Sequence, residues 1–434
     1  MTLAHLQCAG CGWQAPAGLA APFRCRHAGE GDVDHVLVHH PGDSEPLEGG
    51  DDPNPFVRYR DSLWAWQAAR QRGMADAAFV ALVRRLDEAI AEVDGRGFHV
   101  TPYGPSAALG QQLGLDLWVK NETGHVAGSH KARHLMGILL VLQVIDATAA
   151  EPASQAPLAI ASCGNAALAA AVLARAARRA LQVFVPPDAE PAVLARLHEL
   201  GAQVVACPRE PGEQGDPCVR HFRQALVAGA LPFCCQGNEN GLAIDGGETL
   251  VREMLDAGGP PLDHLVVQVG GGALASACLQ ALERAVAAGR LANPPRVHTV
   301  QTQGAWPLKR AWSALQQRRA EGHGADEALG FAATHRSAFM WPWEEPPHSI
   351  ASGILDDETY DWLAVLRGMQ ATGGTAVVVD EATLARARDL AQQVAGVPAS
   401  ATGASGLAGV IELQRQGVIE AGARVGVLLT GVQR

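Results

Sequence analysis

The sequence predicts an α/β protein of two open, mostly parallel-sheet domains with a small cysteine-containing segment at the N-terminus. Three observations predict it. From Leu117 onward, short apolar runs alternate with amphipathic helical segments, a spacing that implies parallel sheets covered by helices on both faces. The chain has 434 residues, more than one ordinary core supports. Its composition, 48% hydrophobic and 18% charged, can fill sizeable cores and excludes global disorder.

Charge and cysteine usage narrow the functional classes. A formal net charge of −11 argues against nucleic acid as a partner, because phosphate binding needs clustered Lys and Arg. The run Arg175-Ala176-Ala177-Arg178-Arg179 reads as the solvated end of a helix. Every long apolar run is broken by Arg, Gln or Gly within the length of a membrane span, so no transmembrane segment is expected. Nine cysteines, an odd count in a large chain, fit a reducing compartment, and no basic-apolar-small leader follows Met1. A cytoplasmic location is therefore expected.

Along the chain, residues 1–55 hold Cys8-Ala9-Gly10-Cys11 and Cys25-Arg26-His27, then an acidic Pro/Gly-rich linker from Pro41 to Pro55. Residues 56–97 read as helical, with apolar residues at three- and four-residue spacing through Ala75–Ile90. Strands are expected at Leu117–Lys120, Leu158–Ala161, Gln182–Val185, Gln203–Val205, Leu265–Val269 and Val297–Val300. Helices are expected over Ala166–Arg178, Ala192–Leu200 and from Ala273. Residues 306–349 are rich in Trp, Arg and Pro with weak periodicity, and read as an insertion, a lid or an oligomer contact. The catalytic region is then 56–434, with a smaller domain over roughly 140–240. The chain stops three residues after Gly431, so no regulatory module is expected beyond it.

In open α/β sheets, ligands sit where strands end and helices begin, and three such junctions have unusual composition. Gly128-Ser129-His130-Lys131-Ala132-Arg133 puts one lysine in a Gly/Ser loop at the start of a helix. A lysine amine can form a Schiff base with an aldehyde cofactor when neutral, although a lone lysine is more often an exposed charge. Ser162-Cys163-Gly164-Asn165 lies between a strand and a helix; its backbone N–H groups would seat a carboxylate, or it is an ordinary Ser/Asn helix cap. At Gly270-Gly271-Gly272-Ala273, glycines would let backbone N–H groups approach a phosphate. This last loop has neither the dinucleotide-fingerprint spacing nor a following Walker lysine. Cys163 reads as a small residue that fits its loop rather than a nucleophile, and Cys234-Cys235 as buried thiols.

In this order, the lysine loop, the Ser-x-Gly-Asn loop and the Gly-rich loop resemble the fold-type II pyridoxal-phosphate enzymes, the tryptophan synthase β-like class that includes threonine synthase and the serine/threonine dehydratases. The resemblance runs from about Phe56 to the C-terminus. Thr101-Pro102-Tyr103 stands for the family's Thr-Pro-Leu, Lys120-Asn121-Glu122 for its Lys-x-Glu, and Gly128-Ser129-His130-Lys131 for its Gly-Ser-Phe-Lys, with histidine replacing Phe. Leu428-Leu429-Thr430-Gly431 resembles the Thr-Gly of threonine synthases. The resemblance implies pyridoxal 5'-phosphate bound to Lys131 as a Schiff base, with Lys131 also shuttling the Cα proton. It further implies Asn165 at the ring hydroxyl, the amides of Gly270, Gly271, Gly272 and Ala273 on the phosphate, and Thr430 at the ring nitrogen. Ser162, Cys163, Gly164 and Asn165 would hold the substrate amino acid, and a homodimer is implied.

Threonine synthase relatives often begin with a zinc-ribbon-like segment, which the N-terminal cysteines resemble. Position 28 is Ala, so Cys8, Cys11 and Cys25 would need His27, or His35 in its place, to complete a structural zinc site; a metal-free remnant is the alternative. The segment Ser162–Ala170 followed by Phe184-Val185-Pro186 looks like the serine/threonine dehydratases, whereas the cysteine head, Arg58-Tyr59-Arg60 and Thr430-Gly431 look like threonine synthase. O-phosphohomoserine, the synthase substrate, needs a second anion site, for which Lys309, Arg310 and Arg336 are candidates. The expectation is therefore β-elimination from L-serine, L-threonine or a related amino acid, with threonine synthesis or β-replacement as alternatives.

Overall fold

The computed structural model describes residues 4–16, 18–19, 22–42, 49–149, 156–210, 212–213 and 215–434. Residues 43–48 of the expected linker lie outside the described residues. The chain divides into two compact units. The first takes in Met1–Ala28, His35–Val100 and His125–Thr249; the second takes in Gly29–Asp34, Thr101–Gly124 and Leu250–Arg434.

In the first unit, a two-stranded antiparallel ribbon pairs His5–Cys8 with Leu37–His40. A four-stranded parallel sheet follows, in spatial order Gln203–Ala206, Leu181–Val185, Leu158–Ala161 and Leu231–Pro232. Leu158–Ala161 is buried at every position, as a parallel strand covered on both faces must be. The helix Asn165–Ala176 that follows it is rich in alanine, and its small side chains are buried on nearly every face. The helix Lys131–Thr148 packs against it and against Trp64–Gln71. A Cβ at Gly137 would come within 2.9 Å of the Gly246 backbone nitrogen, so glycine is required where those two backbones touch.

The second unit is built on a six-stranded sheet in the order Ala376–Val379, Arg296–Thr302, His264–Gln268, Arg424–Leu429, Asp116–Asn121 and Tyr103–Pro105. All neighbours are parallel except the last pair. Val427 stands opposite both Val119 and Val266, so β-branched side chains line the centre of the sheet. One face is covered by a cluster that includes Trp312, Phe339, Trp362 and Met369. The other is covered by Leu407, Val410 and Leu413 of the helix Ala401–Arg415.

Residues 306–349, whose periodicity in the sequence is weak, are helical in part. They form helices Pro307–Ala320 and Ala325–Thr334, and Leu308, Ala311, Trp312, Leu315, Ala328 and Ala332 are buried in the core of the second unit. The helical stripe is present in the sequence, but alanine at 311, 328 and 332 weakens the apolar contrast that would mark it.

Candidate active site

The lysine loop is set by an unusual backbone. Ala127 and Gly128 both adopt left-handed conformations, with φ of 52° and 66°. For alanine this costs on the order of 1 kcal/mol, and the strain is held by Asp94, whose Oδ2 accepts the Ala127 N–H at 3.0 Å. Two left-handed residues in succession deliver Lys131 as the first residue of the helix Lys131–Thr148. Lys131 is half-buried and makes no ion pair with any described residue. Ser129 is fully buried, and its Oγ has no hydrogen-bond partner among the described residues. His130, which replaces the family's Phe, is buried and stands edge-on to His134 at 5.6 Å between ring centroids. It therefore packs as the aromatic it replaces.

The second junction is cleaner than an ordinary cap. The strand Leu158–Ala161 leads through Ser162 and Cys163 to Gly164, which is the N-cap residue, and no side chain caps the helix end. The cap reading of Ser162 and Asn165 is thus overturned: Asn165 is already inside the helix, and Ser162 reaches back only to the Gly164 N–H, at 3.4 Å. A helix N-terminus with no side-chain cap suits an outside anion. Cys163 is half-buried, and Cys234 and Cys235 are buried. Gln236 is a neighbour that motif reading missed. Its Nε2 donates to the Ala161 carbonyl at 3.3 Å, and its Oε1 has no partner among the described residues.

The glycine loop belongs to the second unit. Its carbonyls are engaged: Gly270 accepts from Thr359 Oγ1 at 3.0 Å, Gly271 from the Asp361 N–H at 3.1 Å and Gly272 from the Ser276 N–H at 2.9 Å. The N–H groups of Gly270, Gly271, Gly272 and Ala273 find no acceptor among the described residues. A Cβ would meet Asp356 Oδ2 at 2.2 Å from Gly270, Tyr360 at 2.9 Å from Gly271 and Thr359 at 2.9 Å from Gly272, where φ is +97°. Glycine is favoured by the backbone at Gly272, a side chain at Gly270 or Gly271 would displace Asp356 or Tyr360, and the open donors at a helix N-terminus suit a phosphate. Two residues earlier, Gln268 donates its Nε2 to Thr430 Oγ1 at 2.7 Å. The two motifs of this unit, far apart in sequence, are thus tied by one side chain.

At the N-terminus, Cys8, Cys11, Cys25 and His35 bring four ligand atoms within 4.8 Å of one another. Cys8 Sγ lies 3.6 Å from His35 Nδ1, and Cys11 Sγ lies 3.6 Å from Cys25 Sγ. Ligands placed tetrahedrally at about 2.3 Å from zinc stand roughly 3.8 Å apart, so the set fits. His27 does not belong to it. Its ring nitrogen accepts from Arg26 at 2.9 Å, and only its backbone N–H reaches Cys25 Sγ. Pairing of His5–Cys8 with Leu37–His40 carries His35, two residues before Leu37, to Cys8, which sequence proximity to Cys25 could not indicate.

The candidate second anion site does not assemble. Arg310 donates to both Glu344 oxygens at 3.0 Å and lies over the Trp341 ring. Arg336 pairs with Glu358 and with Asp34. Of the three cations only Lys309 has no carboxylate partner among the described residues, and burial pushes its pKa below the usual lysine range.

A loop lysine opening one helix, an uncapped helix end after a parallel strand, and a glycine cradle of open amides define a cofactor-dependent enzyme of the parallel α/β class. The chain belongs to the pyridoxal-phosphate dependent enzymes, whose family model matches residues 96–431. It is 24% identical over 333 residues to a threonine synthase of Bacillus sp. (strain ULM1), covering 76% of this chain and 82% of that one. It is 30% identical over 191 residues to a serine dehydratase-like protein of Mus musculus, covering 44% of this chain and 54% of that one, about half the relative's length. Among solved structures, the serine racemase of Dictyostelium discoideum matches with a TM-score of 0.58 and 18% identity, over 81% of this chain and 98% of that chain. This last likeness speaks for the fold. Among the described residues, no helix is long and apolar enough to cross a membrane.

Proposed function

We propose that this enzyme is an amino-acid lyase catalysing β-elimination from L-serine, L-threonine or a related β-substituted amino acid. The observation that carries this reading is the neutralisation of Arg310 by Glu344 and of Arg336 by Glu358. A substrate with its own phosphate would need those guanidinium groups, and both are already matched. Curated relatives named L-serine dehydratase, 29% identical over 195 residues in Saccharomyces cerevisiae (strain AWRI1631), support the same reaction class.

In this reading, bound pyridoxal phosphate supplies an electrophilic carbonyl and an electron-withdrawing ring. The N–H groups of Gly270, Gly271, Gly272 and Ala273 would hold its phosphate, Asn165 would meet the ring hydroxyl, and Thr430 would meet the ring nitrogen. Lys131 would hold the group at its carbonyl carbon, and its amine, when free, would take the proton from the substrate Cα. The Cα–H electrons would move into the Cα–Cβ bond as the Cβ–O bond breaks, and the β-hydroxyl would leave as water on receiving the proton that Lys131 took from Cα. Hydrolysis then yields a keto acid and ammonia. Ser162, Cys163 and Gly164, with the first amides of the helix Asn165–Ala176, seat the α-carboxylate. A Thr430 hydroxyl does not hold a proton on the ring nitrogen as a carboxylate would, which favours elimination over chemistry through a long-lived carbanion. The protein works as a cytoplasmic homodimer, its N-terminal cysteines and His35 hold a structural zinc ion, and residues 56–434 form the catalytic region.

A threonine synthase-like reaction is the second reading. It is favoured by Lys309, a desolvated cation without a carboxylate partner among the described residues, and by the extent of the match to the Bacillus relative. Assays with L-serine, L-threonine and O-phosphohomoserine separate the two. Keto acid from either hydroxy amino acid is the expected result, and inorganic phosphate released from O-phosphohomoserine alone overturns it.

A further inference from the structure

We infer that Gln301, Lys309 and the N-terminal turn of the helix Pro307–Ala320 form a binding site for a small carboxylate, at a different helix end from the glycine cradle. All of its parts lie in the second unit.

The chain holds only three lysines, against 31 arginines. Lys120 is ion-paired with Glu253, and Lys131 opens the helix of the lysine loop. The third, Lys309, is half-buried in the first turn of Pro307–Ala320 and makes no side-chain hydrogen bond or ion pair with any described residue. Side chains on a helix tilt toward its N-terminus, so this one leans back over the open helix end. Burial alone lowers its pKa, with no carboxylate charge opposing the shift.

Gln301 makes this helix end a site. It stands on the strand Arg296–Thr302 and is 1% exposed. One end of its amide accepts the Lys309 N–H at 3.0 Å, so that end must be the oxygen. The NH2 group, on the same carbon, is therefore held at the same helical turn. It is buried and has no hydrogen-bond partner among the described residues, and an orphaned buried donor is uncommon enough to need a reason. The N–H of Leu308, a fully buried residue of the same turn, also finds no acceptor among the described residues. Pro307 has no N–H, and the N-cap residue Trp306 carries an indole that can donate but not accept. One helix end thus gathers an amide NH2, a backbone N–H and an ammonium.

Charge selects the ligand. Arg310, next in the chain, donates to both Glu344 oxygens at 3.0 Å and is matched by them. What remains is the Lys309 charge and the partial positive charge of the helix end. A phosphate ester, with a charge of about −1.5 to −2 near neutral pH, would stay under-compensated there. A carboxylate brings one negative charge and two oxygens to three donors.

The test treats holoenzyme with a limiting amine-reactive ester and reads acylation of Lys309 by peptide mass analysis. Acetate or pyruvate, against chloride at matched ionic strength, should slow that acylation by about tenfold, because a bound carboxylate raises the amine's pKa by about one unit. Gln301→Glu keeps the acceptor for the Lys309 N–H and puts a carboxylate oxygen where the NH2 stood. It should protect Lys309 with no anion added, and acetate should then add nothing. Should Gln301→Glu not fold, Gln301→Leu removes the donor and should leave Lys309 equally reactive with and without acetate. Equal acylation in acetate and chloride in the parent enzyme, or full protection by acetate in Gln301→Leu, overturns the site. Protection by inorganic phosphate at lower concentration than acetate overturns the choice of a carboxylate. Labelling at Lys309 does not depend on which reaction the enzyme catalyses.

Discussion

The Lys120 ammonium and the Glu253 carboxylate are hydrogen-bonded to each other with neither side chain exposed. Lys120 Nζ also donates to the Thr101 carbonyl at 2.8 Å, and Glu253 Oε2 accepts the Thr101 N–H at 3.0 Å. The Lys120-Asn121-Glu122 and Thr101-Pro102-Tyr103 motifs thus converge on one buried ion pair. Breaking it by Lys120→Met or Glu253→Gln strands a charge or a donor and should cost about 3–5 kcal/mol of unfolding free energy. The double variant Lys120→Met/Glu253→Leu should recover much of that loss. Chemical denaturation of the four proteins checks this.

At the lysine loop, Lys131→Ala should remove the covalent link to the cofactor and lower turnover by on the order of 10³-fold or more. Borohydride reduction followed by peptide mass analysis should find the modified residue at position 131 in the parent enzyme and nowhere in the variant.

Asp94 acts on the same loop from a distance. Asp94→Ala leaves the Ala127 N–H without its acceptor, a loss of about 1–3 kcal/mol at a residue already strained. Asp94→Asn keeps an acceptor and should lose less. Faster amide exchange across residues 126–131 in Asp94→Ala is the expected signature.

Zinc, if bound by the N-terminal cluster, should be present at about one ion per chain. Cys8→Ser and His35→Ala should release it, whereas His27→Ala should retain it, because among the described residues the cysteine cluster includes His35 and not His27. Metal analysis of the purified variants decides between His35 and His27.

A buried histidine pair should make the second unit acid-sensitive. His298 Nδ1 accepts the Thr375 N–H at 3.2 Å, so Nε2 carries the proton and donates to His264 Nδ1 at 2.9 Å. Burial, with the His264 and Arg296 charges adding to it, pushes His298 down to about 3. The neutral form is native, so the unfolded chain binds the extra proton. Stability should be fully present above about pH 6.5 and fall toward pH 3 by up to about 1.4 kcal/mol per pH unit. His298→Gln should flatten the dependence across that window, as read by denaturation at a series of pH values.

Much of the candidate site was legible because its parts are local. Backbone loops suited to anions need glycine or small residues in one short stretch, so Gly128–Lys131, Ser162–Asn165 and Gly270–Ala273 could be proposed as candidates without a fold. Gln268 was not legible: nothing in His264–Gln268 marks a strand-end glutamine whose partner lies 162 residues away. The 306–349 helices were hidden by the alanines in their buried stripe, and Gln236 by the absence of any motif around it.

The sequence by itself determined the alternating α/β pattern, the three strand-to-helix loops and the cysteine head, because each depends on residue types within a few positions of one another. Only the tertiary structure decided that His35 rather than His27 faces the cysteines, that Arg310 and Arg336 are already paired, and that Gln268 donates to Thr430. Those facts depend on which distant side chains share a hydrogen-bond distance, and register and packing set that distance rather than spacing along the chain.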